Sequence, residues 1–212
     1  LKKKTNLDLY DNVKFVDLKK YSHSLPAIKE FSAKKITVVY ANGEIVSGKG
    51  SDDQMGSDKI AEAIRKARLD TTIKAIVLRV NSPGGSALAS DVIWRETILA
   101  KKAKPLVVSM GDYAASGGYY IACAADKIVA QPTTNTGSIG VFGLLFNAQK
   151  MFNNKLGITF DSVRTGKYAN IGSTFYPMTT EERAIIQESV EKIYDTFITH
   201  VSEGRKMDKS AV

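Results

Sequence analysis

From Lys35 onward, strand-like and helix-like segments alternate, and this alternation most constrains what the chain can fold into. Ile36 to Ala41 is a short β-branched run, followed by Gly43, Gly48 and Gly50, which mark a loop. Ser57 offers an N-cap to a helix in which Ile60, Ala61, Ile64 and Ala67 recur at three- and four-residue spacing. Lys74 to Val80 reads as a buried strand running into Asn81-Ser82-Pro83-Gly84-Gly85, and a helix is expected over Leu88 to Lys102. Pro105 opens a strand over Leu106 to Met110, and Gly111 to Ala115 turns it into another helix starting near Ser116. Lys127 to Ala130 and Ile158 to Val163 supply two further strands. Thr179 and Glu182 form a capping box for a final helix, with Ile185, Ile186, Val190, Ile193, Tyr194, Phe197 and Val201 on one apolar face. Strand–helix alternation of this extent implies an α/β domain with a mostly parallel sheet and flanking helices. Residues 1–34 are patterned differently, with Pro26 ahead of the first strand, and read as a lead-in segment from a preceding region.

Composition narrows the chemistry. At 212 residues the chain supports one large domain or two small ones, and 43% hydrophobic with 25% charged residues is ordinary globular composition. A single cysteine, Cys123, excludes an internal disulfide framework and a cysteine-built zinc site. Two histidines, His23 and His200, exclude a His-rich metal centre, and a Ser-His-Asp triad would have to use one of them. No apolar stretch approaches the roughly 18 residues of a membrane span. The chain opens Leu-Lys-Lys-Lys without an initiator methionine, so it is expected to be a piece of something longer. Its formal charge of +8 is spread over clusters such as Lys2–Lys4, Lys101, Lys102 and Lys104, and Arg205, Lys206 and Lys209. Such dispersed clusters read as solvated faces; no nucleic-acid-binding signature accompanies them, and the charge is compatible with an anionic membrane surface.

Two glycine-rich turns carry the chemistry. In Gly111-Asp112-Tyr113-Ala114-Ala115-Ser116-Gly117-Gly118, a serine with small neighbours sits between a strand and a helix. Its hydroxyl is either a nucleophile beside free helix N–H groups or a plain N-cap. The nucleophile-elbow pattern Gly-x-Ser-x-Gly is not matched, since Ala114 stands where its first glycine would be. Asn81-Ser82-Pro83-Gly84-Gly85 also follows a strand, so both turns are expected at one edge of the sheet, where ligands of open α/β sheets bind. Consecutive glycines expose backbone N–H groups suited to an oxyanion hole, or they merely reverse the chain.

These two segments, with Thr136-Gly137-Ser138-Ile139-Gly140-Val141, resemble the signal peptide peptidase A (protease IV) family. Its members are membrane-anchored bacterial serine proteases with a ClpP/crotonase fold and a Ser-Lys dyad. The resemblance runs from about Lys35 to the C-terminus. It implies that Ser116 is the nucleophile, that Gly84, Gly85 and Gly117 supply oxyanion-hole N–H groups, and that Ser138 orients the lysine. In short family members that lysine lies in a Gly-x-x-Lys loop; the corresponding stretch here is Gly166-Lys167-Tyr168-Ala169, with Ala169 in the lysine slot and Lys167 two residues early. Long members carry two copies of the domain, the serine in the second and the lysine in the first. The chain therefore resembles the second half of a long form, with Lys167 as the weaker candidate base. No metal or organic cofactor is implied. The implied partners are peptide substrates, namely signal peptides, the chain's own N-terminal half and further copies, as in a tetramer. The implied location is the bacterial cytoplasmic membrane, with the domain on its periplasmic side.

Other polar residues read as structural. His23 lies in the lead-in, His200 on the final helix, Asp112 in a loop, and Cys123, Tyr119 and Tyr120 pack along the helix after Ser116. Ile139, Val141 and Phe142, flanking Ser138, are candidates for an apolar specificity pocket. Two other classes compete: a crotonase-type acyl-CoA enzyme, which uses the same paired N–H groups but a carboxylate base, and a non-catalytic assembly domain.

Overall fold

The β-branched run after Lys35 forms β1 (Lys35–Asn42), the edge of a parallel sheet whose other strands are supplied by later segments. The computed structural model describes residues 16–17, 20–21 and 32–212, so His23 and Pro26 lie outside the described residues. Residues 34–212 make up one compact unit.

After β1, the loop expected from its glycines also holds two short paired strands, β2 (Ile45–Val46) and β3 (Met55–Gly56). Then follow α1 (Ser57–Leu69), β4 (Ile73–Ser82), α2 (Ala87–Ala103), β5 (Leu106–Ala115), α3 (Gly117–Ala122), β6 (Lys127–Val129) and β7 (Asn135–Gly137). A helical turn at Gln149–Met151 runs into a π-helical turn at Phe152–Leu156, and α4 (Thr180–Arg205) closes the unit. The sheet runs β1-β4-β5-β6, with β7 also on β5, and every pairing is parallel. The chain therefore has the expected α/β, mainly parallel architecture.

One sheet face is the core. Ile76, Leu78 and Val80 of β4 and Leu106, Val108 and Met110 of β5 pack with Ile60 and Ile64 of α1, Ile93 of α2 and Ile121 of α3. The other face keeps Ile36, Val38 and Tyr40 exposed, so β4 alternates between buried and half-buried residues instead of being buried throughout. Each fully buried aliphatic side chain contributes about 1.5–3 kcal/mol. Between α1 and α2, buried Glu96 accepts from Arg65 at 2.6 Å and from Arg68 at 3.4 Å, pairing a carboxylate that burial would otherwise penalise.

Several boundaries differ from expectation for identifiable reasons. Gly56, not Ser57, occupies the α1 N-cap, because the Ser57 hydroxyl instead accepts the Gly48 N–H at 3.1 Å. β5 continues through the expected turn at Gly111–Ala115, because β7 pairs with Tyr113–Ala115 after β6 has left off at Ser109. Ile158–Val163 is not a strand: it has no ladder partner, Val163 is fully exposed, and Phe160 stacks on Phe175 at 4.1 Å. The capping box at Thr179 and Glu182 is formed as expected. Of the apolar face of α4, however, only Phe197 and Val201 are buried; Ile185, Ile193 and Tyr194 stay exposed. No helix among the described residues is long and apolar enough to cross a membrane.

Candidate active site

The site begins with an irregularity in the sheet. β4 and β5 pair Val80 with Met110 and then Ser82 with Ala114, so β5 carries extra residues opposite Asn81. The Asn81 side chain fills this bulge, its Oδ1 accepting the Tyr113 N–H at 3.0 Å. Gly111 is required there, since a Cβ would come within 2.8 Å of Asn81 Oδ1. The bulge swings the end of β5 across, as bulges at sheet rims commonly re-aim a side chain.

Ser116 stands at the end of that strand with φ 51° and ψ −120°, a positive-φ conformation rare for a residue with a Cβ. It is held there from both sides. Its N–H donates to Gly137 O of β7 at 2.9 Å, and its carbonyl accepts the Tyr120 N–H at 2.9 Å. Its hydroxyl makes no capping bond and has no hydrogen-bond partner among the described residues, unlike a plain N-cap serine. The helix behind it, α3, is only six residues long, so whatever polarises the site comes from individual N–H groups more than from a helix dipole.

Gly84 lies directly against the serine. It has φ 108°, and a Cβ there would approach Gly117 N and Ser116 Cβ to 2.8 Å each. The two glycine-rich turns thus meet at one sheet edge. The Gly84 N–H is taken by Ser82 Oγ at 3.1 Å, whereas Gly85 N–H and Gly117 N–H have no acceptor among the described residues. Gly85, Ser116 and Gly117 line a cleft of about 340 Å3. Ser86 and Ser90 at the start of α2 add two hydroxyls to its wall, and the rest is largely apolar: Val141 and Phe142 after β7, Val190, Ile193 and Phe197 of α4, and Tyr120 of α3. The α4 residues recur at helical spacing on the face expected to be apolar, so the signal was present without its destination. Of the pocket candidates, Val141 and Phe142 line the cleft, while Ile139 packs against the Tyr120–Phe197 cluster. Tyr120 both packs and lines the cleft. Its hydroxyl donates to Asp91 Oδ1 at 2.8 Å, and burial, with Asp91 second, raises its pKa.

No lysine, histidine or carboxylate lines this cleft among the described residues. Ser138 follows Gly137, the last residue of β7 and the register partner of Ala115; it is exposed, has φ 49° and does not line the cleft. Lys167 is exposed and ion-paired with Glu181, and that carboxylate, with Tyr168 second, raises its pKa. This is the opposite of what a general base requires. Ala169 closes a turn on Gly166 O and brings no titratable group. His200 lies outside the cleft, stacked on Trp94 at 3.6 Å with its Nε2 3.5 Å from Asp91 Oδ1. Cys123 is fully buried at the end of α3, its thiol pushed up to about 12 chiefly by burial. Two clefts of similar size, one at Trp94 and His200 (about 330 Å3) and one over β1 and α1 (about 440 Å3), bring no serine to a glycine loop. No cluster of His, Cys, Asp or Glu among the described residues could hold a metal ion.

Comparison with known proteins decides the family. The sequence model of peptidase family S49 matches residues 98–212, and that of ClpP-like SDH-type serine proteinases matches residues 52–143. The chain belongs to peptidase family S49. The S49 match begins inside α2 and takes in the serine turn, β7 and the whole of α4. Protease 4 of Haemophilus influenzae is 45% identical over 179 residues, covering 84% of this chain and 29% of that protein. Protease 4 of Salmonella typhi is 44% identical over 197 residues, covering 92% and 31%. The chloroplastic serine protease SPPA of Arabidopsis thaliana is 36% identical over 218 residues, covering 98% and 32%. The chain thus spans about a third of the length of these S49 relatives.

Proposed function

We propose that this S49 chain is the nucleophile-bearing part of a serine endopeptidase, and that its general base, a lysine, comes from a part of the longer protein outside these residues. The observation that carries the reading is Ser116: a strained serine whose hydroxyl, like the Gly85 and Gly117 N–H groups beside it, has no partner among the described residues, in a largely apolar cleft that none of those residues supplies with a base. In the reaction, a neutral lysine amine takes the Ser116 Oγ proton as Oγ attacks the peptide carbonyl carbon. The oxygen becomes an oxyanion facing Gly85 N–H and Gly117 N–H, donors that act most strongly when fixed in advance. Collapse breaks the C–N bond, and the lysine returns its proton to the departing amine. Water, deprotonated by the same lysine, then hydrolyses the acyl-Ser116 ester. Ser138, next to the Gly137 whose carbonyl accepts the Ser116 N–H, is the residue that the family resemblance assigns to hold the lysine amine by a hydrogen bond.

The apolar lining favours extended peptides with apolar side chains, and the resemblance to signal peptide peptidases makes cleaved signal peptides the proposed substrate class. The proposed setting is the outer side of a bacterial cytoplasmic membrane, in a homo-oligomer anchored through segments other than these. A crotonase-type reaction fits less well, because no carboxylate among the described residues lines the cleft to abstract a proton from a thioester.

The test is acyl-enzyme trapping. Incubated with a p-nitrophenyl ester of an apolar peptide, the longer protein should gain one acyl group, located by mass spectrometry on Ser116. The Ser116→Ala variant should gain none. Acylation elsewhere, or equal acylation of the variant, would overturn the reading.

A further inference from the structure

The oxyanion site requires the Gly84–Gly85 segment to hold one N–H toward the serine, yet two consecutive glycines impose no conformation of their own. Something else must fix each of the two peptide planes around Gly84. For the Gly84–Gly85 plane it is β2. Gly84 O accepts the Ile45 N–H at 2.8 Å, and the next bond along, Ser86 N–H to Ile45 O, is 2.9 Å. In a trans peptide the N–H points opposite to the C=O, so with Gly84 O turned to Ile45 the Gly85 N–H faces away from β2. For the Pro83–Gly84 plane, the only hydrogen bond among the described residues comes from Ser82. Its hydroxyl, at the last position of β4 and wholly buried, accepts the Gly84 N–H at 3.1 Å. Ser82 does not line the cleft, so it touches neither substrate nor the reacting atoms.

We infer that Ser82 is a positioning residue for the oxyanion site: by holding the Gly84 N–H it leaves Gly85 N–H as the loop's donor to the substrate carbonyl. The inference rests on the reading of Ser116 as nucleophile. Without the Ser82 hydroxyl, Gly84 N–H is a buried donor without a partner, and buried polar groups of that kind seek one. Rotation of the Pro83–Gly84 plane is its way out, and that rotation shifts Gly84 against Ser116 and Gly117, which lie so close that there is no room for a Cβ at Gly84. The consequence falls on the transition state, where the oxyanion forms, more than on substrate binding in the apolar cleft.

The experiment uses the longer protein carrying Ser82→Ala, Ser82→Cys or Ser116→Ala. It measures kcat and KM on an apolar peptide per titrated active site, the inhibition constant of a peptide aldehyde, and Tm. Losing an oxyanion donor outright lowers kcat about 10²–10³-fold, so misplacing one is expected to lower it on the order of 10-fold or more. For Ser82→Ala the expected result is that fall in kcat, a matching loss of aldehyde affinity and KM within about twofold, with cysteine, a weaker acceptor of similar size, falling between. Should Ser82→Ala fail to fold, the cysteine variant carries the same test. Wild-type kcat in a folded Ser82 variant, or kcat and KM shifting together with aldehyde affinity unchanged, overturns the positioning role. Full activity in Ser116→Ala would instead overturn the nucleophile reading on which it rests.

Discussion

Replacing Ser116 by glycine should stabilise the protein while abolishing its proposed activity. Ser116 is held at φ 51° and ψ −120°, outside the regions that a side chain with a Cβ tolerates. Backbone strain of this kind costs about 1–3 kcal/mol. Glycine relieves it but loses more chain entropy on folding, a penalty of about 0.4–1 kcal/mol relative to alanine. The fair reference is Ser116→Ala, because the hydroxyl has no hydrogen-bond partner among the described residues and both variants remove it. Relative to alanine, glycine should therefore add about 0.5–2 kcal/mol of stability. For a domain of this size that is a rise in Tm of about 1–8 °C. Urea and thermal unfolding of the two variants, followed by circular dichroism, measure the difference. A glycine variant about 1 kcal/mol less stable than the alanine variant, as at a relaxed position, would refute the claim that the backbone at Ser116 is strained.

Three further predictions concern neighbouring parts of the site. Gly84→Ala should abolish peptide hydrolysis and destabilise the fold by more than 1 kcal/mol, since its Cβ meets backbone at 2.8 Å and the residue sits at φ 108°; wild-type kcat would count against the proposed close approach. Phe197→Ala should enlarge the cleft and shift preference toward bulkier apolar side chains, read as a change in relative kcat/KM across a peptide panel; an unchanged ranking would remove α4 from the specificity wall. Cys123, with its thiol raised to about 12 by burial, should resist iodoacetamide at pH 8 in the folded protein and react only on unfolding. Because the raised pKa favours the neutral thiol in the folded state, the stability it contributes is present below pH 9 and lost as pH rises from 9 toward 12; Cys123→Ala should flatten that slope.

Much of the scaffold was legible because local signals agreed with tertiary packing. The spacing of Ile60, Ala61, Ile64 and Ala67 marked α1, and all of them are buried; the Thr179–Glu182 pair marked the start of α4. The meeting of the two glycine-rich turns followed from the parallel order of their strands. What sequence could not convey was non-local. The extension of β5 past Gly111 depends on β7, a strand of three residues with little pattern of its own. The bulge depends on Asn81, whose side chain reads as loop chemistry until Tyr113 is seen to donate to it. Ile158–Val163 had strand-like composition but found no neighbour to pair with. At the site, the motifs pointed to Ser116, Gly84, Gly85 and Gly117, whereas the α4 part of the wall and the buried Ser82 hydroxyl emerged only from packing.

The central claim, a nucleophile here and a base elsewhere, is tested most directly by Ser116-dependent hydrolysis of one fluorogenic apolar peptide. The comparison is between the 212-residue chain, the longer protein and the longer protein carrying Lys167→Met. A serine peptidase stripped of its base keeps only a small residue of its rate from binding and the oxyanion hole, about 10³–10⁴-fold over water. The account predicts that the chain alone shows no turnover above that residue, and that Lys167→Met leaves the longer protein at wild-type kcat/KM. Full Ser116-dependent turnover by the chain alone, lost on replacing Lys167, would contradict it.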